Sequence, residues 1–513
     1  MKRIAVIAFT LFMFSLPSTS QTTSDINYLK SKLVYGQSYS FIDTSANYIQ
    51  YFSADAMKTF FDKLKTTPSE KVKILHIGDS HLQADIGANC SRILLQDIFG
   101  FGGRGAIFPY TIAKTHATDD YEVKGYGLWE RTRNIEKDPV LDLGISGITA
   151  RTYDSSAGFE IKFYPDRAKI QSNFTRLKLF CHTGPNSFNC QYRLSNQEEW
   201  TTISCSVVAN NRPCIEINLP HSPSSIYMRV LKSDTAQKFF EIYGLSLEST
   251  ENKGLLYNSV GINGARLNSF LKEKLYETQI SEFNPDLVIV DLIANDLAYG
   301  EFNQDQTEKD LKDCLKKIRT SSPRASIMLV GMQDIYVEGR NVVNAGLYSS
   351  FLRQFAALNN VSFYDYYTVS GGARSMKKWL ARGLSSKDMC HLSTVGYNLK
   401  GQLFTNAILG SYMFYLKNES ASLTVMEKKI DPKEIEKPEV IKPVPTEKKL
   451  QSQASLNKKP TAKKEKSITH IVKKGETLST IANKFKTTPA NIKAVNHLKT
   501  NNLRVGQALK INQ

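Results

Sequence analysis

Ser80, Asp388 and His391 are the residue types that nucleophilic acyl transfer requires. A serine hydroxyl is a poor nucleophile at neutral pH until an imidazole takes its proton. The imidazole works only when a carboxylate fixes its tautomer and stabilises the cation. Asp388 and His391 stand three apart in Asp388-Met389-Cys390-His391, so one loop can join carboxylate and ring. Ser80 lies in Gly78-Asp79-Ser80-His81, a turn into a helix whose first N–H groups point at a bound anion. Acyl transfer also builds negative charge on the carbonyl oxygen, and losing one donor to it costs ~10²- to 10³-fold in rate. Three donors are expected: the N–H of Ser80, the N–H of Gly264 in Gly261-Ile262-Asn263-Gly264, and the amide of Asn295 in Ala294-Asn295-Asp296. Asp79 and Asp296 read as loop braces and His76 as a packed histidine. The chemistry requires no metal and no organic cofactor, and the cysteines lack the matched histidines of a zinc site.

These fragments need a scaffold that gathers them. Val72, Ile74, Leu75 and Ile77 form a strand closed by Gly78, preceded by a helix over 54–64. After residue 255 a strand through Leu287-Val288-Ile289-Val290 leads to helices over 308–319 and 342–358, which alternate with strands over 326–330 and 361–364. Such alternation predicts a parallel sheet with helices on both faces, and ligands then sit at the carboxyl ends of the strands. Ser80 follows the first strand, Asn295 follows the strand through Val290, and His391 precedes a helix starting near Ser393. Residues 114–255 break this pattern with short alternating runs such as Phe159-Glu160-Ile161-Lys162-Phe163, predicting an inserted β-sandwich.

A length of 513 residues exceeds one core. Met1-Lys2-Arg3, the apolar run from Ile4 to Phe14 and the small residues Ser18-Thr19-Ser20 read as a signal peptide over 1–20, implying export to the periplasm or cell envelope. The run is too short for a membrane span, which takes ~20 apolar residues, so no transmembrane segment is expected after cleavage. Cys181, Cys190, Cys205 and Cys214 cluster in the β-rich stretch, where three pairings are possible. The net charge of +17 is concentrated in residues 417–513, where 21 Lys and Arg face 9 Asp and Glu, leaving +12. That charge comes as Lys with Pro, which suits anionic envelope polymers and argues against nucleic acid. Residues 416–467 are too polar to fold and read as a linker, whereas 468–513 regain core residues in strand, helix, helix, strand order.

Taken in order, the Ser80, Gly264, Asn295 and Asp388-to-His391 segments resemble the four blocks of the SGNH, or GDSL-type, hydrolases. The resemblance covers about 71–113 and 256–415 and implies a flavodoxin-like three-layer α/β domain over 25–113 and 256–415. Ile293 stands where that family carries Gly, and His81 where it carries Leu. Gly-Asp-Ser-His, Asp85 and the run Phe99 to Gly105 resemble the peptidoglycan O-acetylesterase branch. His470 to Ala482 and Leu503 to Ile511 resemble a LysM domain. That likeness implies a βααβ module binding peptidoglycan or another N-acetylglucosamine-containing glycan, with Gly475, Glu476, Thr477 and Leu478 on one side and Asn501, Asn502 and Leu503 on the other. The resemblances together imply an exported esterase that removes O-acetyl groups from peptidoglycan. The alternatives are an acetyltransferase, an esterase for another acetylated polysaccharide, and a non-catalytic wall-binding protein.

Overall fold

Along Lys71–Gly78 the side chains divide alternately between two hydrophobic cores: Val72 and Ile74 enter one, Leu75 and Ile77 the other. A strand buried on both faces needs helices on both, and the computed structural model supplies them. It describes residues 19–34, 39–116, 118–168, 173–206, 212–298, 302–418, 467–473, 476–485, 487–496, 498, 503–504 and 506–512. The expected signal segment lies mostly outside these residues, as do the linker and three expected glycan contacts, Gly475, Asn501 and Asn502. The chain divides into two compact units, the first ending at Pro438 and the second beginning at Glu439.

The first unit is built on five parallel strands: β1 (Lys71–Gly78), β2 (Gly254–Gly261), β3 (Leu287–Asp291), β4 (Ser326–Val330) and β5 (Ser362–Tyr364). They lie in the order β2-β1-β3-β4-β5. Helices Lys58–Leu64, Ile86–Phe99 and Thr394–Asn418 cover one face, through Phe60, Phe61, Leu95, Phe404 and Ile408. Helices Leu267–Leu271, Tyr276–Phe283, Gln304–Ser321 and Ala345–Leu358 cover the other, through Phe270, Ile280, Leu315 and Leu352. The expected α/β layering is therefore present, with element ends shifted by a few residues. Among the described residues no helix is long and apolar enough to cross a membrane.

Between β1 and β2 the chain forms an antiparallel sandwich. One sheet runs Ile215–Asn218, Arg176–Cys181, Phe240–Glu248, Ile148–Thr152, Glu130–Arg133. The other runs Tyr121–Tyr126, Gly158–Phe163, Ser225–Leu231, Asn189–Arg193, Thr201–Ile203. The sandwich also recruits Gly103–Ile107, a segment that the sequence pattern places in the hydrolase part. Glycine permits this: a Cβ on Gly103 would lie 2.6 Å from Glu248 Cα, and one on Gly105 2.6 Å from Tyr257 O. Arg104 then sits buried, bonding Asp120 (2.7 Å) on the sandwich side and Asp85 (2.7 Å) on the hydrolase side, while Arg92 bonds Asp85 at 2.9 Å. All seven cysteines are free thiols, and the sulfurs of Cys190 and Cys205 lie 3.8 Å apart.

In the second unit, strands Ser467–Ile471 and Ala508–Asn512 pair antiparallel around helices Leu478–Lys484 and Pro489–Val495. Val472, Leu478, Ile481, Ile492, Leu509 and Ile511 form its core. Leu478 is therefore a core side chain, and only its backbone can face a ligand. Glu476 accepts bonds from His470 Nε2 and Lys473 N, both at 2.8 Å. The Thr477 N–H donates to Thr480 Oγ1, and Leu503 packs partly buried against the core.

Candidate active site

The carboxyl end of β1 is where the site begins, because Gly78 pairs with Gly261 of β2 on one side and Asp291 of β3 on the other. The chain then turns sharply into helix Ser80–Gln83, capped by Asp79, whose side chain accepts from the His81 N–H at 2.9 Å. Two glycines let this turn sit down on the strand ends. A Cβ on Gly78 would meet Leu82 Cβ at 2.9 Å, and one on Gly261 would meet Gln83 N at 2.5 Å.

Ser80 Oγ lies 2.9 Å from His391 Nε2, and His391 Nδ1 lies 2.7 Å from Asp388 Oδ2. The histidine comes from a loop closed by Ser386 N donating to His391 O (2.9 Å) and held by Tyr336 N donating to Met389 O (3.0 Å). Met389 takes a left-handed φ of 51° to complete the turn. The other Asp388 oxygen accepts the N–H groups of Cys390 and His391, each at 3.0 Å. Burial pushes the Asp388 carboxyl up, but the bonds from the His391 ring and the two backbone groups outweigh it and hold the carboxyl below its ordinary value.

Both proposed oxyanion segments are tied to the Asp79–Gln83 turn. Gln83 Oε1 accepts the Asn263 N–H at 2.6 Å, and Gly264, next along, is exposed with φ 84°. Asn295 Nδ2 donates to Asp79 Oδ2 (3.2 Å) and to Ala265 O (3.0 Å), so both of its N–H groups are engaged. Asp296 accepts the Leu267 N–H at 3.2 Å, bracing the start of a helix. Burial, reinforced by Asp291, pushes the Asp79 carboxyl up to about 7, and burial likewise pushes Asp296 to about 7. Asp291 goes the other way: Lys400, 3.1 Å away, overcomes burial and keeps it ionised. His76 is buried, its Nδ1 2.8 Å from the Tyr257 hydroxyl.

Several residues around the site were not legible as such. Gln83, besides holding Asn263, donates to Thr115 Oγ1 (2.8 Å) and His116 O (3.1 Å). Asn263 Nδ2 lies 2.7 Å from His116 Nδ1. Gln333 donates to Cys390 O at 3.0 Å, and the Tyr397 hydroxyl lies 3.0 Å from His81 Nδ1. Gln333 had one available signal, its place just after a strand of the parallel sheet. His81, Cys390 and His391 bring ligand-type atoms within 4.8 Å of one another. Those atoms have other duties: both His391 nitrogens bond triad partners, His81 Nδ1 faces Tyr397, and burial pushes the Cys390 thiol up to about 12.

Residues 244–399 match the GDSL-like Lipase/Acylhydrolase family, and residues 470–512 match the LysM domain. The chain carries a GDSL-type acylhydrolase domain and a LysM domain. The reaction class of the acylhydrolase domain is carboxylic ester hydrolysis. Among solved structures, one described as a peptidoglycan O-acetylesterase in action is 20% identical, with 71% of this chain and 99% of that chain covered at a TM-score of 0.58. It shares the acylhydrolase fold. A family two carbohydrate esterase from Cellvibrio japonicus is 11% identical over 58% of this chain and 99% of its own, with a TM-score of 0.25. A lipase/acylhydrolase from Enterococcus faecalis is 19% identical over 31% and 78%, also at 0.25. No curated protein sequence matches the chain.

Proposed function

We propose that this protein is an exported serine esterase that removes O-acetyl groups from peptidoglycan. The observation that carries the reading is the relay of 2.9 Å from Ser80 to His391 and 2.7 Å from His391 to Asp388. Ser80 Oγ attacks the acetyl carbonyl as its proton passes to His391 Nε2, and Asp388 stabilises the imidazolium. The N–H groups of Ser80 and Gly264 receive the charge on the carbonyl oxygen. Asn295 joins them by releasing its longer bond, the one to Asp79. When the carbon–oxygen bond to the sugar breaks, His391 returns the proton to the departing sugar oxygen. Water then attacks the acetyl-serine, losing a proton to His391, and acetate leaves as Ser80 regains its hydrogen.

The substrate class rests on two further supports. The LysM match implies glycan binding, and the solved structure that shares the fold over most of both chains is described as a peptidoglycan O-acetylesterase. The site also suits a small acyl group on a large polymer, since His391 and Asp388 keep 40% and 51% of their side-chain surface open to solvent. Acetate release from O-acetylated wall glycan, compared with chemically deacetylated glycan, tests the reading. Ser80→Ala should abolish release while leaving glycan binding intact; unchanged turnover would remove the assignment.

A further inference from the structure

At the seam between sandwich and hydrolase, Asn134 extends the sandwich strand Glu130–Arg133, and Glu273 follows helix Leu267–Leu271 of the oxyanion segment. Each is only 3% exposed, and Asn134 Nδ2 donates to Glu273 Oε1 at 2.8 Å. The second polar atom of each group, Asn134 Oδ1 and Glu273 Oε2, is buried without a partner among the described residues. An amide oxygen and an ionised carboxylate are both acceptors, so neither can satisfy the other. Turning the amide over does not help, because it sets Oδ1 against Oε1 instead. A proton on Oε2 resolves both atoms at once: the hydroxyl donates to Asn134 Oδ1, and acid and amide close a two-point pair. The surroundings favour that neutral acid. Burial outweighs the Asn134 bond and the charge of Lys317, and pushes the Glu273 carboxyl up to about 8. Lys317, from helix Gln304–Ser321, spends its ammonium on the Glu273 backbone carbonyl (2.6 Å) over the rings of Phe270 and Tyr276. Tyr276 and Cys314, packed beside it, are kept neutral by burial. On the sandwich side Arg131 pairs with Glu136 at 3.9 Å, and Lys272 donates to Glu136 O at 2.8 Å.

The pair sits against the oxyanion loop. A Cβ on Gly147, whose carbonyl accepts the Asn134 N–H at 2.9 Å, would meet Asn134 Nδ2 (2.7 Å), Glu273 Oε1 (3.0 Å) and Ile262 Cγ1 (3.0 Å). Ile135, the residue after Asn134, places its Cγ2 3.9 Å from where a Cβ on Gly264 would be. Gly264 has no side chain of its own to anchor it, so the packing around it fixes its N–H. We infer that Glu273 is a positioning residue for the oxyanion loop, a neutral acid that locks Asn134, and through Ile135 the edge of the sandwich, against Gly264. The inference rests on the esterase reading of Ser80 and on the oxyanion role of Gly264. Loss of the Glu273 proton would leave facing acceptors in the seam and loosen the wall beside Gly264. Because an oxyanion donor acts on the transition state, the loss falls on kcat and not on KM.

The test compares the full chain with Glu273→Gln and Glu273→Leu on p-nitrophenyl acetate, with spontaneous hydrolysis subtracted. Glutamine can close the same two-point pair and cannot ionise. The ratio of Glu273→Gln kcat to unmodified kcat should rise about 5- to 10-fold between pH 7 and pH 9, with KM unchanged. Asp79 and Asp296, which titrate near 7, are common to both proteins and cancel in that ratio. Glu273→Leu should be about 10-fold slower at pH 7, a loss that glutamine does not share. Infrared difference spectra of the unmodified protein against Glu273→Gln should show the carbonyl stretch of one protonated carboxyl group at pH 6 and none at pH 9.5. A flat ratio, or a spectrum without that band, overturns the inference whether or not Glu273→Leu folds. An unmodified protein that shows the band and turns over no ester would instead overturn the esterase reading beneath it.

Discussion

The ring of His81 stacks on the ring of His391, with centroids 5.1 Å apart and planes 28° from parallel. His81 is buried and held from behind by the Tyr397 hydroxyl. Burial, with Lys400 and His391 adding to it, pushes its pKa down to about 3, so it backs the catalytic ring without charge. A neutral plane keeps His391 aimed at Ser80 and does not oppose the imidazolium. His81→Phe keeps the plane and should stay within about 3-fold of normal kcat on a small ester. His81→Leu loses it and should fall by about 10- to 100-fold. Equal activity in the two variants would show that the stack does not position the histidine.

Asp79 supplies a pH dependence of stability. Its ordinary carboxyl value is 3.8, and in the folded protein it titrates near 7 because of burial and the neighbouring Asp291. Between those values the folded state holds a proton that the unfolded chain has released. The contribution of Asp79 to stability is therefore greatest below about pH 4 and declines as pH rises to about 7. Asp79→Asn preserves an oxygen for the His81 N–H and cannot ionise. Melting temperatures measured from pH 5 to pH 8 should drop less steeply in this variant than in the unmodified protein.

Arg104 joins the sandwich to the hydrolase sheet through two buried carboxylates. Burial alone would raise the Asp120 pKa, yet Arg104 holds it below its ordinary value. Arg104→Ala leaves Asp120 and Asp85 without that guanidinium, and breaking a buried pair from one side costs about 3–5 kcal/mol. Urea titration should show a midpoint lowered accordingly. A change below 1 kcal/mol would mean that water or a rearranged partner takes the place of the guanidinium.

The second unit should act on substrate access and not on the chemistry. Truncation before Glu439 is expected to leave turnover of a small soluble ester unchanged while reducing both retention on insoluble wall glycan and acetate release from it. Because residues 417–513 carry a net charge of +12, retention by the full chain should also weaken as salt rises. Co-sedimentation at two salt concentrations, with and without the tail, separates these contributions.

Much of this architecture was legible because periodicity and strand-end position are local properties. Ser80 and Asn295 follow strands, and His391 precedes a helix, that the apolar pattern outlines, so their convergence at the carboxyl end of one sheet could be expected; Gly264 had only its motif, because the strand Gly254–Gly261 before it was not outlined. The contacts that hold them there could not. Gln83 reaches Asn263, Gln333 reaches Cys390 and Tyr397 reaches His81 across long stretches of sequence, and nothing in the polar residues themselves marks which will meet. The sandwich boundary was missed for a related reason. Gly103–Ile107 is short and glycine-rich, so its strand character comes from pairing with Phe240–Glu248 and not from its own residues.

The placement of β1 sets an order for the maturation of the chain. Its neighbours, β2 and β3, both follow the sandwich in sequence, and Lys71 finds its partner only at Gly254. As the polypeptide emerges from the ribosome, the apolar strand that precedes the nucleophile must wait unpaired while the whole intervening module is synthesised. Long-range pairing of this kind slows folding and exposes sticky intermediates. All of the sandwich's residues must therefore be synthesised before Ser80 can be set opposite His391, so a nascent or truncated chain lacking the later strands has no assembled nucleophile.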